Sequence, residues 1–222
     1  MTENLALCVE SVATAPVVHV VDNDAELRES LSRLLLSIGL TVHEHTSAEG
    51  FLSEYDPTIP GCVLSDVYLP GMSGLALQSH LTERQHTIPF LILTSHADIP
   101  MAVDTMSRGA LGFLLKPPRN HEIIELIQKA IRFDQAHRQE ELHRQNLLAR
   151  FGQLTGREEE ILDRVLAGAS NKGVAALLGI SYRTVETHRA HIMHKLGVHS
   201  LAGFYDISFQ YRTIRDSHRR DP

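Results

Sequence analysis

Five short apolar runs, each followed by a stretch of helical periodicity, constrain this chain more than any other feature. Val17-Val18-His19-Val20-Val21 is rich in β-branched residues and is broken by Asp22-Asn23-Asp24. From Ala25 to Ile38, Leu27, Leu31, Leu34, Leu35 and Ile38 recur at spacings of three and four, one face of a helix that Gly39 ends. The pattern repeats with a strand at Thr41 to His45 and a helix capped by Ser47 and reaching about Glu54. It continues with strand Cys62 to Ser65 and helix Leu75 to Leu81, then strand Phe90 to Thr94 and helix Pro100 to Arg108. A fifth strand, Gly112 to Leu115, precedes a helix from His121 onward with Ile123, Ile124, Ile127, Ala130 and Ile131 on one face. Alternation of this kind predicts an α/β fold, a five-stranded, doubly wound parallel sheet with helices on both faces. Phe90-Leu91-Ile92-Leu93 is apolar throughout, as a strand covered on both faces must be.

Sheets of this type gather their chemistry at the carboxyl ends of the strands. Those ends hold Asp22, Asn23 and Asp24 after the first strand, Asp66 after the third, Thr94 at the fourth and Lys116 at the fifth. Beyond Asp66, Leu69-Pro70-Gly71-Met72-Ser73-Gly74 is turn chemistry, with proline fixing φ and glycine permitting positive φ. Alone, Asp66 reads equally well as a residue capping that turn. Acid, acid and lysine delivered by three strand ends to one crevice argue for a chemical site.

The second part of the chain is helical throughout. Thr155 and Glu158 form a capping box, with Ile161, Leu162, Val165 and Leu166 as the buried face behind it. A short helix opens at Ser170 or Asn171 and buries Val174, Ala175 and Leu178. The turn Gly179-Ile180-Ser181 leads to a third helix from Tyr182 with Val185, Ile192 and Leu196 inward, and a fourth runs from Leu201 to about Ile214. Short helix, glycine-containing turn and a longer helix rich in Arg, Thr and His make a helix-turn-helix, whose last helix enters a major groove by its N-terminal end. The two parts also differ in charge. Residues 1–150 carry 11 Lys and Arg against 19 Asp and Glu, a balance of −8; residues 151–222 carry 10 against 8, a balance of +2. The expected organisation is a flexible tail at 1–15, an α/β domain at 16–133, a helical linker at 134–153 and an all-α four-helix DNA-binding domain at 154–222. The linker is polar, with Leu142 and Leu147 or Leu148 as the residues through which a coiled-coil-like segment would pair. Residues 154–222 are expected to bind DNA by themselves.

No apolar run approaches a membrane span, and the N-terminus carries Glu3 and Glu10 where a secretory signal needs basic residues. The two cysteines, Cys8 and Cys62, have no paired spacing, so neither a disulfide framework nor a zinc site is indicated. A reducing, cytoplasmic setting is expected.

With both halves in view, the chain resembles a two-component response regulator of the FixJ/NarL class, a flavodoxin-like receiver domain joined to a LuxR-type helix-turn-helix. The receiver likeness rests on the spaced motifs VVDND, SDVYLPGMSG, LTSHADIPMAV and RGALGFLLKPP. The second rests on LTGREEEILDRVLAGASNKGVAALLGISYRTVETHRAHIMHKLGV, which follows the family pattern in order and is highly specific. The resemblance implies a phosphoprotein: Asp66 is the phosphoacceptor, receiving a phosphoryl group from a sensor histidine kinase. It also implies Mg²⁺ held by Asp22, Asp66 and the backbone carbonyl of Tyr68, charge neutralisation by Lys116, a cis peptide bond from Lys116 to Pro117, and a switch made of Thr94 and the aromatic Phe113. The family normally has a second acid at Asn23. Asparagine keeps an oxygen ligand and loses a charge, so weaker Mg²⁺ binding is expected, and a regulator independent of phosphorylation is the alternative. Asp24 compensates only if it leaves the helix-start role that the family gives this third position.

The same resemblance makes Arg183, Thr184, Thr187, His188 and Arg189 the candidates for groove or phosphate contacts, with Lys172 and Lys195 as phosphate partners and a homodimer on activation. Val185 reads as core. His188, His191 and His194 spread around their helix with no cysteine near, which argues against zinc; His43 and His45, alternating on a strand, read likewise as solvated. Two other functions compete less well. A phosphohydrolase using an Asp-x-Asp motif would suit VVDND, but Glu26 stands where that family has Thr or Val, and the second half stays unexplained. A receptor for a small acyl signal needs an aromatic-rich pocket, and this chain has no Trp and 5% aromatics.

Overall fold

The computed structural model describes residues 15–95 and 99–218. The tail expected at 1–15 lies, Ala15 excepted, outside the described residues, as does the middle of the LTSHADIPMAV motif. The chain forms two compact units that divide between His137 and Arg138.

In the first unit, β1 (Val17–Val21), β2 (Thr41–His45), β3 (Gly61–Ser65), β4 (Phe90–Thr94) and β5 (Gly112–Leu115) form one parallel sheet in the order β2-β1-β3-β4-β5. The helices between them are α1 (Ala25–Ser37), α2 (Ala48–Glu54), α3 (Gly74–Glu83) and α4 (Ile99–Ser107). Successive strand residues point to opposite faces, and the core divides accordingly. Val18, Val20, Leu64, Leu91 and Leu93 pack with Leu31 and Leu35 of α1 and with Ile123 and Ile127 of α5 (Asn120–Gly152). Val21, Val63, Phe90 and Ile92 pack on the other face with Phe51 of α2 and Leu77 of α3. Each fully buried aliphatic side chain contributes roughly 1.5–3 kcal/mol. Asp24, Ser47 and Ser73 cap α1, α2 and α3 by accepting from backbone N–H groups.

His45 is not the solvated strand histidine that its position suggested. It is buried at the end of β2, and one ring nitrogen lies 3.1 Å from a ring nitrogen of His19 on β1. Phe51 packs edge-on against both rings. Burial, then the charges of His45 and His43, lower the His19 pKa to about 4. The alternation of β2 hid this because the pairing is made across strands.

The second unit contains α6 (Gly156–Leu166), α7 (Asn171–Leu178), α8 (Tyr182–Leu196) and α9 (Leu201–His218). The capping box at Thr155 and Glu158 is present, and Ser170 rather than Asn171 caps α7. Helix α5 runs on without a break through the expected helical linker. Asp134 is fully buried and accepts from the Gly61 N–H at 2.9 Å, so the first unit claims the helix past residue 133. Further on, Leu147 and Phe151 are buried with Leu154, Ile161, Leu162, Ile192 and Phe204 in the core of the second unit. Two residues of the expected linker, Leu147 and Phe151, thus belong to that core, which residues 154–222 do not build by themselves. The apolar residues of this stretch are too few to show a pattern, yet two of them are core. Leu142 stays exposed, while Leu147 is unavailable for coiled-coil pairing.

Candidate functional site

The sheet order reverses beside β1, so the loops after β1 and β3 open a crevice between them. Register brings Val21 opposite Ser65, and the Asp66 N–H donates to the Val21 carbonyl at 2.9 Å. Asp22 and Asp66 therefore leave neighbouring strands side by side, 2% and 7% exposed. From β5, Lys116 reaches both carboxylates. Its Nζ lies 2.5 Å from Asp22 Oδ2 and 2.7 Å from Asp66 Oδ2. Burial works against the ammonium charge, but hydrogen bonds to the two carboxylates and their charges outweigh it and hold the Lys116 pKa above the ordinary lysine value. The Lys116-Pro117 bond is cis. Thr94 is fully buried at the end of β4, and Phe113 packs, half-buried, against the core on the α2 and α3 side.

Asn23, Asp66, Tyr68 and Ser95 line a shallow cleft of about 490 Å³ over these groups. Asp24 does not join them. Its carboxylate accepts from the Leu27 N–H at 3.1 Å as the cap of α1, and its own N–H donates to Asp22 Oδ1 at 2.9 Å. Compensation for Asn23 by Asp24 would cost α1 its cap. The oxygen donors that converge here still suit a hard cation, with two carboxylates and an amide where three carboxylates are usual.

Three supports were not singled out in the sequence. Arg28, on α1, donates to the Asp22 carbonyl at 2.7 Å and faces Glu44 at 3.6 Å. Glu49, on α2, accepts from the Met72 N–H at 2.9 Å and so ties down the turn after Asp66. Gly74 lets α3 start against that turn, because a Cβ there would lie 2.0 Å from the Asp66 carbonyl oxygen. Only the glycine had a signal, in the turn composition.

In the second unit, Ser181 caps α8 by accepting from the Thr184 N–H at 3.0 Å. Arg183, Thr184, Thr187 and His188 line a shallow cleft of about 380 Å³ with Ser181 and His191, a residue the sequence reading left out of the contact set. Lys172 is exposed and Val185 fully buried. Arg189 is half-buried and donates to the Asn171 side chain, bracing α8 against α7. Lys195 departs from its expected role at phosphate. Its ammonium lies 2.6 Å from buried Glu158, which also accepts from the Thr155 N–H and hydroxyl at 2.8 and 2.9 Å. Burial opposes the Glu158 charge, but Lys195 and Thr155 outweigh it and lower its pKa to about 2.

Comparison with known proteins matches both units. The response regulator receiver domain family fits residues 18–128, and the bacterial regulatory proteins of the luxR family fit residues 152–208. The chain is 41% identical over 186 residues to the transcriptional regulatory protein TdiR of Thauera aromatica, covering 84% of this chain and 82% of TdiR. It is 36% identical over 199 residues to FixJ of Bradyrhizobium diazoefficiens, covering 90% and 97%. This chain is a response regulator.

A solved structure of the response regulator StyR superposes on the regulator with a TM-score of 0.86 at 39% identity, covering 89% of this chain and all of that one. The regulator thus joins a receiver domain to a LuxR-type DNA-binding domain. It is a two-component transcription regulator. Receivers generally bind Mg²⁺ at their phosphorylation site. Among the described residues no helix is long and apolar enough to cross a membrane.

Proposed function

We propose that a sensor kinase switches this regulator by transferring a phosphoryl group to Asp66 and that the N-terminal half of α8 reads DNA. The observation that carries the first part is the placement of Lys116 between Asp22 and Asp66. An Asp66 carboxylate oxygen attacks phosphorus, the new O–P bond forms as the P–N bond to the kinase histidine breaks, and the imidazole leaves. Two anions meet in that step, so the site must supply positive charge. Lys116 is already aimed at the acceptor oxygen and neutralises the equatorial oxygens as they approach. Mg²⁺, when bound, adds a second positive centre; Asp22, Asp66, the Tyr68 carbonyl and, with one charge fewer than usual, the side chain of Asn23 would hold it. Thr94 offers its hydroxyl to the acyl phosphate, and its movement gives Phe113 room to turn further inward, shifting the population of surfaces presented by α4 and β5.

Arg183, Thr184, Thr187 and His188 face outward at the positive end of the α8 dipole, where base edges and phosphates meet a recognition helix. Lys172 serves phosphate beside them. The regulator works in the cytoplasm and forms a homodimer on activation. On α9, Leu201, Tyr205 and Phe209 recur at four-residue spacing and remain 50%, 39% and 73% exposed, an apolar stripe for a second copy to cover. The test of the switch is the intact mass of the full chain after incubation with Mg²⁺ and a small-molecule phosphodonor, beside Asp66→Asn. A gain of one phosphoryl group in the wild type alone is expected. A gain in both would move the acceptor elsewhere. No gain in a folded wild type would overturn the reading and make Asn23 the cause.

A further inference from the structure

The C-terminal end of α8 carries a hold that the contact residues do not explain. The helix ends at Gly197 in the left-handed conformation, φ 66°. The Gly197 N–H donates to His194 and the Val198 N–H to Met193, at 3.1 and 2.9 Å. These two bonds satisfy two of the four carbonyls that a helix end leaves open. The Leu196 carbonyl instead accepts from Arg150 Nη1 of α5 at 3.2 Å. Gly197 leaves room for the guanidinium, since a Cβ there would sit 3.3 Å from that nitrogen. Arg150 does not hang free: its neighbours on α5, Leu147 and Phe151, are both buried in the core of this unit. A fixed cation at the negative end of a helix dipole is favourable. The same turn is held from α6 by the Lys195–Glu158 pair at 2.6 Å.

We infer that Arg150 is a positioning residue for DNA recognition, setting the angle at which α8 presents its N-terminal half; the inference rests on the DNA-binding reading above. From Leu196 back to Arg183 the helix spans about 20 Å at 1.5 Å per residue, so a tilt of about 5° at the held end moves the reading end by roughly 2 Å. That displacement exceeds the tolerance of a hydrogen bond to a base edge. Contacts to phosphate, made by long flexible side chains, accommodate it. Loss of Arg150 therefore costs sequence discrimination more than it costs bulk affinity.

The test uses the full chain and two duplexes. One is enriched from a random pool by the wild-type chain, the other is its scrambled counterpart of equal length. Arg150→Met keeps the aliphatic bulk and removes the donor; Arg150→Lys restores a donor without the planar fork. The ratio of affinities, enriched over scrambled, is expected to fall about tenfold in Arg150→Met and to recover in part in Arg150→Lys, with scrambled-duplex affinity and salt slope unchanged. An unchanged ratio in Arg150→Met overturns the proposal. So does an equal loss on both duplexes, which marks general destabilisation, or a salt slope flatter by about one unit, which marks a direct phosphate contact. A wild-type chain that enriches no sequence would remove the DNA-binding reading itself, and the proposal with it, before any variant is made.

Discussion

Replacing Phe151 by alanine tests whether the end of α5 belongs to the DNA-binding unit. Phe151 is 4% exposed, and its ring stacks on Tyr211 with centroids 3.8 Å apart and planes 1° from parallel. It shares a core with Leu147, Leu154, Leu162 and Phe204. A buried Phe→Ala change costs about 3–5 kcal/mol in transfer and cavity terms. A unit of some eighty residues has about 4–12 kcal/mol of stability in all, so this one side chain decides whether most of it survives. The assay is amide hydrogen exchange of the full chain, read peptide by peptide. Peptides from α6, α8 and α9 are expected to open about a thousandfold more readily, the equivalent of about 4 kcal/mol, while β1, β3 and β4 keep their protection. Unchanged exchange in α6 and α9 would refute the assignment of 147–151 to that core and restore the linker.

A chain beginning at 154 discards the same contacts, and unlike one beginning at 138 it is expected to show no cooperative thermal transition. Asn23→Asp adds a carboxylate beside Asp66, so Mg²⁺ affinity by titration calorimetry should tighten about tenfold; equal affinity would place residue 23 away from the cation. The His19 pKa, near 4 when folded against 6.5 for a free histidine, means that the unfolded chain takes up the proton first. Stability of the first unit is therefore fully retained above about pH 6.5 and falls by roughly 3 kcal/mol as the pH drops towards 4. His19→Val should flatten that slope in urea titrations, and an identical slope would discard the explanation. Lys195→Met leaves Glu158 buried without its cation, a loss of about 3–5 kcal/mol in thermal unfolding, yet the salt slope of DNA binding should not change; a flatter slope would return Lys195 to the phosphates.

The sequence by itself carried the fold and the outline of both sites, because those depend on local periodicity and on strand ends. Alternating runs and helical spacing specified a parallel sheet, and a parallel sheet leaves Asp22, Asp66, Thr94 and Lys116 at one edge. Capping chemistry marked the starts of α6 and α7 in the same way. Tertiary structure decided which polar groups meet. His19 and His45 pair across 26 residues, Glu158 and Lys195 across 37, and Arg150 and Leu196 across 46. Nothing local distinguishes a lysine that faces phosphate from one that neutralises a buried carboxylate two helices away. The end of α5 was hidden for a related reason. The stretch of α5 after residue 133 contributes Leu147 and Phe151 to the core of the second unit and shows no apolar stripe of its own. Its membership becomes visible only when the surface it covers is present.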